Sequence, residues 1–116
     1  MQAFLKRLSG LVKYALNHHS GMAELAALAT ATAQRESVVR KGLDWLAQQG
    51  NIKILSEGNG QIQLSSGNQI VGSDLEQVTH QLEVMLDETT AYRAFFGKAA
   101  LGNSIVPAYQ NRKEKI

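Results

Sequence analysis

The chain of 116 residues contains no cysteine, which excludes a disulfide framework, a thiolate metal site and a cysteine nucleophile. It also lacks any apolar run near the roughly 18 residues that a membrane-spanning helix requires. Its amino-terminal segment MQAFLKRLSG places the basic residues behind the first apolar ones, which is unlike a secretory signal. At this length we expect one domain. Without a secretory signal, a membrane span or cysteine, we expect it to be cytoplasmic and not associated with a membrane.

A strong net charge is also absent, since the formal value is only +2. Residues 1–66 carry seven Lys or Arg and four Asp or Glu, whereas residues 67–116 carry five and six. The first part is therefore +3 and the second −1. A polyanion would be drawn to the first part and repelled by the acidic start of the second.

Apolar residues recur at helical spacing in three segments of the first half. The pattern predicts a first helix that ends near NHHSG, a shorter second helix in GMAELAALATATA with Ser20 or Gly21 as its cap, and a third over residues 34–49. On the apolar side of the third helix, Gly42 would permit close approach by another helix. Gly50 would end this helix in a left-handed conformation. Its polar side, which we call the outer face, consists of Ser37, Arg40, Lys41, Asp44 and Gln48.

After Gly50 the period changes from that of a helix to that of a strand. The segments NIKIL and QIQLS alternate apolar and polar residues, and Asn59-Gly60 between them predicts a tight hairpin turn with positive φ. Ile70 and Val71 would then add a brief strand or cover the core. Ser73 and Glu76 have the spacing of a capping box and open a last, long helix.

The order of three helices, a hairpin and a long helix, with the string RESVVRKGLDWLAQQGNIKI, resembles the winged helix-turn-helix family. The shared features are a polar start at residues 35–37, the run Val39, Arg40 and Lys41, two leucines three residues apart, and Gly50 before the first wing strand. The resemblance covers roughly residues 20–66. It implies an α+β, mainly α fold with a winged-helix core over residues 1–72. From the residue pattern we expect a helical segment over 73–106 for packing or dimerisation, and a mobile tail over 107–116 because this stretch has little to pack.

The resemblance implies a non-catalytic DNA-binding protein in which the third helix enters the major groove and the hairpin, or wing, contacts the backbone or minor groove. The implied DNA-binding residues come from the third helix and the wing: Arg35, Ser37, Arg40, Lys41, Lys53, Asn59 and Gln61. An ordinary ion pair of Arg40 or Lys41 with Asp44 is the competing interpretation of the outer face. The alternative function is a winged helix used for protein interaction or dimerisation without DNA binding, because a fold does not fix a function.

The run LEVMLDETTAYRAFFGKAALGNSI after the wing resembles the end of the carboxy-terminal extension of RecJ-type single-strand exonucleases, on the basis of Tyr92, Phe95, Phe96 and Ile105. This implies an accessory module of a nucleic-acid-processing enzyme acting on duplex or single-stranded DNA; the other reading is a small transcription regulator. The apolar stripe of the last helix either pairs with a second copy or packs on the first helix. The residues expected at a dimer or partner interface are Leu82, Met85, Tyr92, Phe95 and Phe96.

The sequence contains no recognisable set of catalytic or cofactor-binding residues. His18 and His19 are adjacent and point to different sides of a helix, so they cannot chelate together, and His80 is the only other histidine. The glycine-bearing segments GNG and GKAALG lack the spacing of a phosphate loop. No nucleophile has an identifiable base. We therefore expect no enzyme activity, no metal and no cofactor.

Overall fold

The computed structural model describes residues 1–101, with side chains up to residue 91 and at residue 93. The order of elements is α1 (Gln2–His18), β1 (Met22–Glu24), α2 (Leu25–Thr32), α3 (Glu36–Gln48), β2 (Ile52–Gly58), β3 (Gln61–Ser66) and α4 (Leu75–Leu101). The prediction of an α+β, mainly helical protein is confirmed. Within the described residues, no helix combines the length and apolar character needed to cross a bilayer.

The chain divides into two units by its internal contacts. The first is Met1–Met85 and the second begins at Leu86. The first unit therefore includes the opening turns of α4. The tail expected over residues 107–116 lies outside the described residues.

The core of the first unit lies between the three short helices and one face of the sheet. Its members come from α1, β1, α2, α3, β2 and β3, and include Leu8, Val12, Leu28, Val39, Leu43, Leu46, Ile52, Ile62 and Leu64. Leu8 of α1 and Leu43 of α3 are fully buried. A Cβ added at Gly42 would lie 2.7 Å from Leu8 Cδ2 and 2.9 Å from Phe4 Cε2, so the predicted close approach of another helix at this glycine is confirmed.

The sheet has three antiparallel strands in the order β1-β3-β2. Strand β1 was not expected, because the sequence pattern assigned Met22 to the second helix and made Ser20 or Gly21 its cap. That expectation is wrong: Ser20 and Gly21 have φ of 55° and 80° and turn the chain so that Met22 pairs with Gln63. Helix α2 begins only at Leu25. Three residues are too few to display the strand period.

The predicted turns are confirmed where glycine or asparagine was required. Gly50 has φ of 84° after α3, and Asn59 and Gly60 have φ of 55° and 77° at the hairpin tip. The expectation for Ile70 and Val71 is wrong. Both are largely exposed and lie in neither a helix nor a strand, so they neither extend the sheet nor cover the core.

Candidate nucleic-acid interface

The solvent-exposed part of α3 is its first turn. Arg35 precedes the helix in an extended conformation, and Arg35, Glu36 and Ser37 are all exposed. From Val38 to Gly50, by contrast, every residue is buried or half-buried. The beginning of α3 is therefore open to solvent, and the rest of the outer face is partly covered by other elements.

Arg40, one turn into α3, is held by two carboxylates. Its Nε lies 3.0 Å from both Oε1 and Oε2 of Glu57 on the wing, and its Nη1 hydrogen-bonds Oδ1 of Asp44. Partial burial lowers the pKa of Arg40, but the hydrogen bonds that it donates to Glu57 and Asp44, together with their negative charges, outweigh burial, and the pKa is raised. The expected pair with Asp44 is therefore present, and Glu57 is a second partner that the sequence did not reveal.

A β-bulge explains how Glu57 reaches α3. Strict alternation along β2 would place Glu57 on the same face as Lys53 and Leu55, away from the core. The pairing register shifts between Ile54 and Ser56, and Leu55 is the extra residue. Glu57 then pairs with Ile62, which is fully buried. Because directly paired residues share a face, Glu57 points to the helical side of the sheet.

Lys41 and Gln48 of the outer face, and Trp45 beside it, contact the opening turns of α4. Lys41 Nζ lies 3.0 Å from Gln81 Oε1 and 3.9 Å from Asp44 Oδ2. Trp45 Nε1 donates a hydrogen bond of 2.8 Å to Thr79 Oγ1, and Gln48 Oε1 accepts one of 3.2 Å from the Asp74 amide. Helix α4 therefore covers one flank of the outer face, and the wing covers the other at Arg40.

The remaining wing residues lie elsewhere. Lys53 pairs with Ser65, and both belong to the sheet face opposite the buried Ile62 and Leu64. Gln61 is exposed on that same face, while Asn59 is exposed at the hairpin tip. The structure thus brings Ser37, Arg40 and Lys41 together on α3 but places Lys53 and Gln61 on the far side of the wing.

The residues expected at a dimer or partner interface differ in accessibility. Leu82 is fully buried and Met85 is half-buried within the first unit. The side chains of Tyr92, Phe95 and Phe96 lie outside the part that the structure describes. Val84 is a large apolar residue of α4 that is 43% exposed, although it is not among the residues expected at this interface.

The histidines of α1 and the turn that follows it are engaged with an aromatic ring. The Tyr14 ring centroid lies 4.5 Å from that of His18 and 5.5 Å from that of His19. Among residues 1–101, no three His, Asp or Glu side chains lie close enough together to hold a metal ion.

Comparison with known proteins identifies no relative, because no family model, curated protein or solved structure matches the chain. The interpretation of this surface therefore depends on its geometry. Around Arg40 and Lys41 that geometry joins two cations and the carboxylates of Asp44 and Glu57: Arg40 hydrogen-bonds both carboxylates, and Lys41 makes an ion pair with Asp44.

Proposed function

We propose that the first unit is a winged helix-turn-helix domain. The order of elements supports this, because two consecutive helices, α2 and α3, are followed directly by a hairpin whose second strand also pairs with β1. The turn between α2 and α3 is tight: Ala33 adopts φ of 56°, and the Gln34 amide donates to Ala29 O at 3.0 Å. A short turn of this kind is typical of helix-turn-helix motifs.

The domain binds nucleic acid, with duplex DNA as the first candidate, through the start of α3 and the wing. The observation that carries this proposal is the exposed first turn of α3, because the amino-terminal residues of a recognition helix are those that reach base edges. Ser37 bonds a phosphate or a base, and Arg35 and Arg40 contact phosphates. Asn59 at the hairpin tip contacts the backbone or minor groove, and Lys53 and Gln61 add contacts from the far face of the wing.

The proposal is tested by fluorescence anisotropy with labelled duplex and single-stranded oligonucleotides of equal length. Four cations, Arg35, Arg40, Lys41 and Lys53, predict a salt exponent of about −3.6, which is roughly a hundredfold loss of affinity between 50 and 200 mM salt. A variant with Arg40→Gln and Lys41→Gln should lower the size of that exponent by about 2.

A matched control removes the same charge from α1, which contacts α3 at Gly42 on the side away from the outer face. Lys6 and Lys13 are both exposed, so Lys6→Gln with Lys13→Gln should leave affinity and exponent nearly unchanged. Nucleic-acid binding at this surface is refuted if neither oligonucleotide binds with salt dependence, or if the control weakens binding as much as the α3 variant. Preference for the single strand would favour the accessory-module interpretation over a regulator of transcription.

A second candidate function is protein interaction, and the pairing of Arg40 and Lys41 with carboxylates favours it. A face whose cations are already neutralised is poorly suited to steer a polyanion. In this case α4 supplies the contact, through Val84, an exposed large apolar residue in the described part of that helix. Sedimentation velocity distinguishes the two self-association states, because a homodimer has twice the 12.7 kDa mass of the chain. If the chain is a monomer at all concentrations, the second candidate function requires a different protein as its partner.

A further inference from the structure

We propose that Asp44 and Glu57 form an acidic clamp that withholds Arg40 from nucleic acid, so that a phosphate must displace Glu57 before the arginine can bind it. This inference rests on the proposed nucleic-acid-binding function and concerns the regulation of the same site. It makes Glu57 a residue that sets affinity and selectivity without itself contacting the ligand.

The geometry of the guanidinium group supports the clamp. A bidentate contact to a phosphate uses two N–H groups along one edge of the guanidinium plane. One such edge contains Nε, which bonds Glu57, and the other contains Nη1, which bonds Asp44. Each edge therefore has one nitrogen already occupied. A phosphate can gain a full bidentate contact only by taking the place of a carboxylate.

The exposure of the three side chains indicates that the exchange is feasible. The side chains of Arg40, Asp44 and Glu57 are 31%, 33% and 42% exposed, so the group lies at the surface and not in the core. Ion pairs at this exposure contribute little to stability. Glu57 is the most exposed of the three and lies on the wing, whereas Asp44 shares a helix with Arg40. We infer that Glu57 is the carboxylate that leaves.

The clamp affects selectivity because its two carboxylates cancel the charges of Arg40 and Lys41. With both carboxylates in place, Arg40 and Lys41 are neutralised and the surrounding surface attracts polyanions weakly. Only a phosphate positioned to bond the guanidinium directly can replace Glu57. The clamp thus lowers affinity for any loosely bound polyanion more than for a well-docked one, and selectivity gained through such a repulsive element is a general device of binding proteins.

The test measures the affinity of Glu57→Gln for a labelled DNA duplex by anisotropy at several salt concentrations. Release of Arg40 should tighten binding about two- to fivefold, the range that corresponds to the strength of an exposed ion pair. The gain should disappear when Arg40→Gln is present as well. In the Glu57→Gln background, removing Arg40 should lower the size of the salt exponent by about 0.9. Asp44→Asn serves as a second variant and should give a gain with the same dependence on Arg40.

Glu36→Gln is the matched control, because it removes the same charge from an exposed position in the first turn of α3. Its effect on affinity should be equal with and without Arg40→Gln, since it acts only on the general field. Exchange of the Arg40 Nε–H proton, followed by NMR, reports on the clamp without DNA and should be faster in Glu57→Gln than in the unaltered protein.

The outcomes separate the clamp from the proposed function. If the unaltered protein binds DNA but the gain from Glu57→Gln persists without Arg40, the clamp is refuted while the nucleic-acid function stands. If the unaltered protein, Glu57→Gln and Asp44→Asn all fail to bind, both proposals are refuted. Weak binding by the unaltered protein together with tighter, Arg40-dependent binding by Glu57→Gln supports both.

Discussion

Replacement of Gly50 by alanine should lower the free energy of unfolding more than the same replacement at an exposed glycine. Gly50 ends α3 with φ of 84° and is buried where the chain enters β2. Its carbonyl accepts a hydrogen bond of 2.8 Å from the Gln69 amide. A Cβ at this position would lie 2.5 Å from the Ile70 amide nitrogen and 2.7 Å from the Gln69 carbonyl carbon. Both neighbours are backbone atoms, so no side chain can rotate away to relieve the clash.

The expected loss in the free energy of unfolding follows from two contributions. A left-handed conformation costs a residue with a Cβ about 1 to 2 kcal/mol relative to glycine. Overpacking against immovable neighbours costs about 1 to 3 kcal/mol. We therefore expect Gly50→Ala to lower the free energy of unfolding by about 2 to 5 kcal/mol, a large fraction of the stability of a small domain.

Urea denaturation followed by circular dichroism measures this change, and Gly10→Ala provides the opposite control. Gly10 lies within α1, and a Cβ there would meet nothing within 4 Å. Its replacement should stabilise the protein by up to about 1 kcal/mol, because alanine favours the helix over glycine. If Gly50→Ala unfolds at the same urea concentration as the unaltered protein, with an unchanged m value, the reasoning from backbone strain is wrong.

Four further predictions concern the core, the α3–α4 contact, the wing and the effect of pH. Leu43→Ala, at a fully buried position, should cost about 2 to 5 kcal/mol in urea denaturation, whereas Leu55→Ser, at a side chain 59% exposed, should change stability by less than about 0.5 kcal/mol. Trp45→Phe removes the hydrogen bond to Thr79 and should cost about 0.5 to 1.5 kcal/mol; a larger effect in Thr79→Ser, which keeps the hydroxyl, would contradict this. The pKa of Arg40 is raised, because its hydrogen bonds to Glu57 and Asp44 and their charges outweigh the lowering effect of burial. The contribution of Arg40 to stability is therefore fully present below the unfolded pKa and is lost only as pH rises through the folded pKa. The stability difference between Arg40→Gln and the unaltered protein should therefore be constant between about pH 6 and 9, and a clear change over that range would contradict the assignment.

The parts of the fold that depend on local conformational demands were predictable from the sequence. Gly50 and Asn59-Gly60 occupy positions where positive φ is required, and the pattern around them identified both the end of α3 and the hairpin turn. The role of Gly42 also followed from its place on the apolar side of α3. In each case the residue type and its neighbours in sequence carry the information.

Other parts depend on interactions between distant segments and were not predictable. Strand β1 forms because Met22–Glu24 pairs with β3, which lies much later in the sequence, and a three-residue segment has no period of its own. Glu57 reaches Arg40 only because of the bulge at Leu55, which reverses the face that alternation would assign. The contact of Lys41 with Gln81 joins residues separated by 40 positions, and neither residue type indicates the other.

Because Trp45 hydrogen-bonds Thr79, its intrinsic fluorescence should report on the contact between α3 and α4. Trp45 is the only tryptophan in the chain, it is half-buried, and its indole nitrogen joins α3 to the opening turns of α4. Intrinsic emission therefore reports one defined junction and not an average over the molecule. A ligand that moves α4 away from α3 would expose the indole and shift its emission to longer wavelength, whereas a ligand bound only at the hairpin tip would leave the spectrum unchanged. Unlabelled protein is thus sufficient to locate where a partner acts.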